Sequence, residues 1–232
     1  MNRNKDISSV FGDTQRTSLE YAKLLAKEFK NYSVLVVDDK DCHHSIMFAK
    51  KGANNVTVYE SDKRYIEGGT IGSYTLTRVE NRKNYNIYKN KINIIIDNFY
   101  TSKFDYTYEF TYCFRSLHLN SSIPMEKKMK KLMSSVKPGG YLYYYKAIND
   151  KDYINYPKNK YIRNGEMLKY FNKDNWDILN IKEDDRFTEH LPHPGNEEKH
   201  YHKIGRVFAK KKNNRLTHKY HYNILLNTTF GS

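Results

Sequence analysis

The stretch Ser33-Val-Leu-Val-Val-Asp-Asp-Lys-Asp-Cys-His-His44, continued by Ser45 to Lys51, Gly52 and Asn55-Val-Thr-Val-Tyr-Glu60, decides the fold of this chain. Ser33 to Val37 is short, β-branched and apolar, as a strand buried on both faces requires. Ser45 to Lys51 reads as a helix ended by Gly52, and Asn55 to Tyr59 as a second strand. Strand, helix and strand in so short a span make a βαβ unit, and with it a parallel sheet.

The pattern continues on both sides. Upstream, Thr17-Ser-Leu-Glu20 is a capping box before Leu19, Ala22, Leu24, Leu25, Ala26 and Phe29, which predicts a helix over 18–30. Downstream, strands are expected at Ile92 to Ile96, Phe104 to Phe110, Tyr141 to Ala147, Trp176 to Ile181 and Ile204 to Ala209. A helix is expected over Pro124 to Ser135, stopped by Lys137-Pro-Gly-Gly140, and a short one over Gly165 to Phe171. Met125, Met129, Leu132 and Met133 fall at helical spacing, and such a stripe serves a core. Alternating elements indicate one doubly wound, Rossmann-like α/β domain over residues 1–212. Its sheet is mostly parallel, with a C-terminal antiparallel hairpin whose strands are joined by an extended loop, and a basic extension follows over 213–232.

Composition narrows the classes further. No apolar run approaches the roughly 20 residues of a membrane helix, and Met1-Asn-Arg-Asn-Lys-Asp6 carries no apolar signal core. Two cysteines, Cys42 and Cys113, are too few for a disulfide framework, so a reducing, cytoplasmic setting is expected. The net charge is +14, but Lys outnumbers Arg thirty to ten and Asn occurs 24 times against one Gln. That bias reflects A+T-rich coding as much as selection for an acidic partner. Distribution says more: residues 199–232 hold eight Lys or Arg and no acid.

With strand, turn, helix and acid-terminated strand in place (Val34 to Glu60), Phe104-Asp105 opening a later strand, and Lys137-Pro-Gly-Gly140 before another, the chain resembles the class I S-adenosylmethionine-dependent methyltransferases over roughly 17–212. Phe104 to Cys113, Leu117-His118, Trp176 and the His-containing ending look most like the thiopurine and tellurite-resistance branch. The resemblance implies S-adenosylmethionine as cofactor, with Glu60 accepting hydrogen bonds from the ribose hydroxyls and Asp97 near the adenine amino group. It also implies a glycine turn after the first strand. Counting back sixteen residues from Gly52, the glycines fall at Asp38, Lys40 and Cys42, and none is glycine. Glycine serves there because it tolerates positive φ and has no Cβ to meet the ligand. A degraded cofactor loop therefore demotes, without excluding, an active enzyme.

Other constellations are weaker. Asp38 to His44 and the four histidines His190, His193, His200 and His202 are both rich in metal donors. The first reads better as a solvated loop, and the second as a substrate lid turned by Pro194-Gly195, so no metal is assigned. Glu109, at the pocket end of its expected strand, and His118 are candidate catalytic groups. Lys146 matches one member of the Lys-Asp-Lys-Glu set of RNA ribose methyltransferases, and chance explains it better. Lys210, Lys211, Lys212, Arg215 and Lys219, interleaved with Tyr and His, are candidate nucleic-acid contacts. Two readings stand open. One is a divergent methyltransferase. The other is an inactive methyltransferase fold that docks on nucleic acid or an acidic protein.

Overall fold

The computed structural model describes residues 30–104, 106–114, 116–118, 122–149, 162–163, 165–183, 188–190 and 200–213. The helix expected over 18–30 and all but the first residue of the extension over 213–232 lie outside them.

Strand β1 (Ser33–Val37) is followed by helix α1 (His43–Lys50) and strand β2 (Asn55–Glu60), and β1 pairs with β2 in parallel from Ser33 opposite Asn55 to Val37 opposite Tyr59. The expected βαβ unit is present. Gly52, at φ 105°, ends α1 as anticipated, a conformation that residues with a Cβ avoid. Residues 61–91, whose periodicity gives no element, form helix α2 (Arg64–Glu67), the hairpin β3 (Gly69–Ile71) and β4 (Tyr74–Leu76), and helix α3 (Lys83–Tyr88). Then come β5 (Ile92–Ile96), β6 (Tyr108–Phe114), helix α4 (Met125–Ser134), β7 (Val136–Asn149), β8 (Ile162–Arg163), β9 (Trp176–Glu183), β10 (Thr188–His190) and β11 (His200–Lys211).

The main sheet runs β10-β11-β7-β6-β1-β2-β5, with β9 pairing β11 beside β10 and β8 pairing the end of β7. β5, β2, β1, β6 and β7 are mutually parallel, and β11 enters antiparallel to β7. This is the doubly wound sheet with a C-terminal antiparallel strand that the sequence predicts. Alternation along the strands sends Val34, Val36, Tyr112 and Tyr143 into the core beneath α1. Leu35, Val37, Leu142 and Tyr144 enter the core beneath α4, with Met129 and Leu132 from the methionine stripe.

Three expectations need correction. The strand placed at Phe104 to Phe110 is Tyr108–Phe114. Its register is set by pairing with β1, where Val34 faces Phe110 and Val37 faces Cys113. Lys137-Pro-Gly-Gly140 is not a turn before a strand but the irregular start of β7, where the β6 register shifts between Tyr108 and Phe110. Gly140 is required there, because a Cβ would lie 2.9 Å from the Glu109 carbonyl oxygen. Residues 165–171 make no helix. Single turns close Lys169 on Glu166 and Phe171 on Leu168, while Met167 is buried and its carbonyl accepts the Tyr144 hydroxyl. A seven-residue segment does not repay helix nucleation, and packing on Tyr144 decides its shape.

Candidate functional site

In an open α/β sheet, ligands bind outside the carboxyl ends of the strands where the chain order reverses. Here that point lies between β1 and β6. The segments that leave β1, β2 and β6 are Asp38 to Cys42, Ser61-Asp62, and the 3-10 turn Ser116–His118.

Asp38, Lys40 and Cys42 stand at φ 52°, 57° and 60°. These are the three positions at which glycine was expected, and the backbone keeps the left-handed conformation that glycine would supply. The course of the loop survives although its residues have changed. Each non-glycine residue held there costs on the order of 1–3 kcal/mol, least for Asp. Hydrogen bonds and packing hold it in place. Asp39 accepts the backbone N–H groups of His44 (3.0 Å) and Ser45 (2.7 Å), capping α1 from within the loop. Arg82 donates to the Asp41 carboxylate (2.8 Å) and carbonyl (3.1 Å), tying the loop to the turn before α3. The Lys40 ammonium lies 5.4 Å from the centre of the buried Tyr65 ring.

The acids of this loop face inward. Asp38 is 4% exposed and Glu60 is 1% exposed. The Asp38 carboxylate accepts the Ser61 hydroxyl (3.0 Å) and backbone N–H (3.3 Å), and Ser116, in the turn after β6, lies near enough to favour its charged form. Ser116 is hydrogen-bonded to the Tyr100 hydroxyl, which also meets Cys113 (3.7 Å). Two buried hydrogen-bonded groups, Ser61 with Asp38 and Ser116 with Tyr100 and Cys113, thus meet at the ends of β2, β1 and β6. Glu60 is fully engaged by the backbone: one carboxylate oxygen accepts the Lys40 N–H (2.6 Å) and the other the Asp62 N–H (2.9 Å).

Burial, and then the neighbouring Asp38, push the Glu60 carboxyl up to about 8, and burial raises Asp38 as well. For Asp39 burial works the same way, but the His44 and Ser45 hydrogen bonds outweigh it and hold the carboxyl below its ordinary value. Burial, aided by Asp39, drives the Cys42 thiol well above the ordinary thiol range. It is no nucleophile. His44 has Nδ1 2.8 Å from Asp39 Oδ1, its buried Nε2 has no hydrogen-bond partner among the described residues, and its ring packs against Tyr112 and Phe114.

The residues implied for S-adenosylmethionine do not fit that ligand in this arrangement. The acid meant for the ribose is sealed under its own loop, and a carboxyl stands at the first glycine position, where the cofactor's methionine carboxylate would approach. Asp97 follows β5 and is exposed, and its carboxylate accepts the N–H of Asn98 (2.7 Å), capping a turn.

Glu109 is displaced from its expected role. With β6 beginning at Tyr108, it lies at the amino end of the strand, accepting the backbone N–H (2.6 Å) and hydroxyl (2.9 Å) of Ser33 at the opposite edge of the sheet. It fastens β6 to β1 and cannot reach chemistry at the other end. His118 ends the turn after β6, on the crevice edge. Of the lid histidines, His190 lies on β10 and His200 and His202 on β11, while His193 lies outside the described residues. The lysines at the end of β11 and just after it are engaged. Lys210 stands 5.4 Å from the Tyr141 ring, and Lys211 donates to the carbonyls of Met133 (3.2 Å) and Val136 (2.7 Å), closing the end of α4. Lys212 donates to the Lys173 carbonyl (2.8 Å) and pairs with Asp177 (3.4 Å). Arg215 and Lys219 lie outside the described residues. Sequence reading missed Ser61, Ser116, Tyr100, Tyr65 and Arg82. Only Ser61, adjacent to the acid at the end of β2, carried a local signal.

No family model and no curated protein matches the chain, but solved structures do. It is similar to TehB from Haemophilus influenzae (TM-score 0.62, 15% identity), covering 83% of this chain and 62% of that one. The chain therefore spans less than two thirds of TehB. It is also similar to magnesium protoporphyrin IX methyltransferase (ChlM) from Synechocystis PCC 6803, solved with bound S-adenosylmethionine (TM-score 0.59, 12% identity, 91% and 86% covered). A third is the [4+2]-cyclase SpnF (TM-score 0.59, 9% identity, 85% and 82% covered). At these identities the likeness establishes the fold: that of the class I S-adenosylmethionine-dependent methyltransferases.

Proposed function

We propose that this chain is a methyltransferase-fold protein whose cofactor crevice is closed by its own side chains, and that it acts as a non-catalytic binding subunit. The observation that carries the reading is Asp38, buried where the three segments of the crevice meet and hydrogen-bonded to Ser61. Opening it would strand buried carboxyl and hydroxyl groups, each costing about 1–3 kcal/mol. Nothing in the fold requires methyl transfer, since folds host function only through their sites. The partner we infer is anionic, nucleic acid in the first place, because residues 199–232 carry eight cations and no acid.

Thermal denaturation in millimolar S-adenosylmethionine tests the first half. No rise in melting temperature is expected, whereas a rise of several degrees identifies a cofactor-binding enzyme. For the second half, binding of labelled RNA is measured at 50 and 200 mM salt, in the full chain and in a chain ending at Lys212. Affinity that falls with salt and weakens on truncation, which removes Arg215 and Lys219, supports the partner class, and affinity indifferent to both removes it.

A further inference from the structure

Strands β1, β2 and β5 are neighbours and run parallel. The segments that enter them, 30–32, 50–54 and 89–91, therefore lie side by side at one edge of the sheet, and the segments that leave them lie at the crevice edge. Hydrogen bonds tie the entering segments together. The Asn31 N–H donates to the Gly52 carbonyl (2.8 Å), the Asn54 side chain to the Asn31 carbonyl (2.7 Å), and the Lys91 ammonium to the Ala53 carbonyl (3.3 Å). These segments hold five lysines and no acid, whereas 38–41, 60–62 and 97, at the opposite ends of the same strands, hold six acids and one lysine. A coding bias toward lysine would enrich both edges alike. Lys50 also suits the C-terminal end of α1, which accounts for one lysine of the five.

On the reading that the partner is a nucleic acid, we propose that this amino-terminal edge, with Lys30, Lys50, Lys51, Lys89 and Lys91, is the surface that holds the phosphate backbone. All five are exposed, and Lys30, Lys50, Lys51 and Lys89 make no ion pair among the described residues. At the crevice edge, by contrast, cations are spent on acids: Arg64 on Asp62 (2.6 Å) and Arg82 on Asp41 (2.8 Å). Three neighbouring strands span roughly 10 Å, which matches about three phosphates at 3.4 Å each along one strand of a duplex. Lysine meets phosphate as a point charge, so the contact is indifferent to base sequence. The entering segments expose no apolar side chain that could enter a bilayer, which favours nucleic acid over an anionic membrane. The chain also leaves the sheet at this edge. Asn213 lies against Gly139 near the start of β7, so the acid-free residues 214–232 continue from the lysine side of the molecule.

The test measures binding of a labelled single-stranded RNA by the full chain between 50 and 200 mM salt. The parent is compared with Lys50→Gln, Lys51→Gln and Lys89→Gln combined, and with an equal loss of charge elsewhere, Lys63→Gln, Lys83→Gln and Lys127→Gln combined. Thermal melts that match the parent show that both variants are folded. The edge variant should bind about tenfold more weakly or worse, and its slope of log affinity against log salt should be shallower by about 2, three contacts at about 0.7 each. The second variant should stay within about threefold of the parent. A parent that binds RNA and an edge variant that binds it equally well overturn this inference and leave the anionic partner standing. Equal losses in the two variants overturn it too, because the charge then acts without regard to place. A parent that binds no RNA at the lowest salt, or binds phosphatidylserine vesicles in its stead, removes the nucleic-acid partner and this surface together.

Discussion

Glu60 shows how a residue can keep its identity and position while its chemistry changes. The acid at the end of the second strand is present, yet its two oxygens serve the N–H groups of Lys40 and Asp62, and its carboxyl rises to about 8. Its folded value lies above its ordinary one, so the folded state retains a proton that the unfolded chain releases. Below about pH 4.5 both states hold the proton and the group contributes nothing. Between 4.5 and 8 stability falls as pH rises, by a few kcal/mol in all, and above 8 the loss is complete. Asp38, raised in the same direction, adds to the slope, while Asp39 is lowered and its contribution is lost only on acidification. Urea denaturation at pH 5, 6.5 and 8.5 should show stability decreasing through the series, and Glu60→Gln should flatten it. A parent equally stable at all three would contradict the burial described. Lys40, at φ 57°, permits a second check. Lys40→Gly should be neutral to about 1 kcal/mol stabilising, since relief of the left-handed strain outweighs the extra freedom glycine gives the unfolded chain.

At the level of elements, local pattern and tertiary contact contributed unequally to what could be read. β1, α1 and β2 were legible because their apolar runs and Gly52 speak for themselves, and the methionine stripe of α4 proved to be core. Leu132→Ala should accordingly cost about 2–5 kcal/mol in chemical denaturation. β6 was misplaced by four residues because Phe104 to Phe110 and Tyr108 to Phe114 are equally aromatic, and only pairing with β1 distinguishes them. That slip put Glu109 at the wrong end of its strand. Pro-Gly-Gly suggested a turn, whereas Gly140 answers to the approach of the Glu109 carbonyl. Gly140→Ala should destabilise by about 1–3 kcal/mol. The loop after β1 was predicted to fail as a glycine turn and does so in chemistry alone. Its clamp, Arg82 on Asp41, lies forty-one residues away and has no local signature. Arg82→Ala should cost about 1–3 kcal/mol and raise hydrogen exchange over 38–42, because it leaves the Asp41 carboxylate buried without its partner.

Across the whole molecule, the sheet order places its ligand edge between β1 and β6, and the protein fills that edge with its own polar groups. Sequence alone gave the architecture and the suspicion that the cofactor loop was altered. It could not give the closure, which depends on Ser61, Asp38, Ser116 and Tyr100 meeting from three strands and a turn. The same sheet gathers exposed lysines at the amino ends of β1, β2 and β5 and ends in a run of lysines already committed to α4, Tyr141 and Asp177. The molecule thus has the methyltransferase fold, and on the function proposed above its own side chains close the crevice of that fold. Calorimetric titration of the full chain with S-adenosylhomocysteine, carried to millimolar ligand, tests that directly. A closed crevice gives no heat beyond dilution. A saturable one-to-one isotherm with micromolar affinity, weakened by Glu60→Ala in a variant that remains folded, would show that the crevice opens to ribose and that the account is wrong.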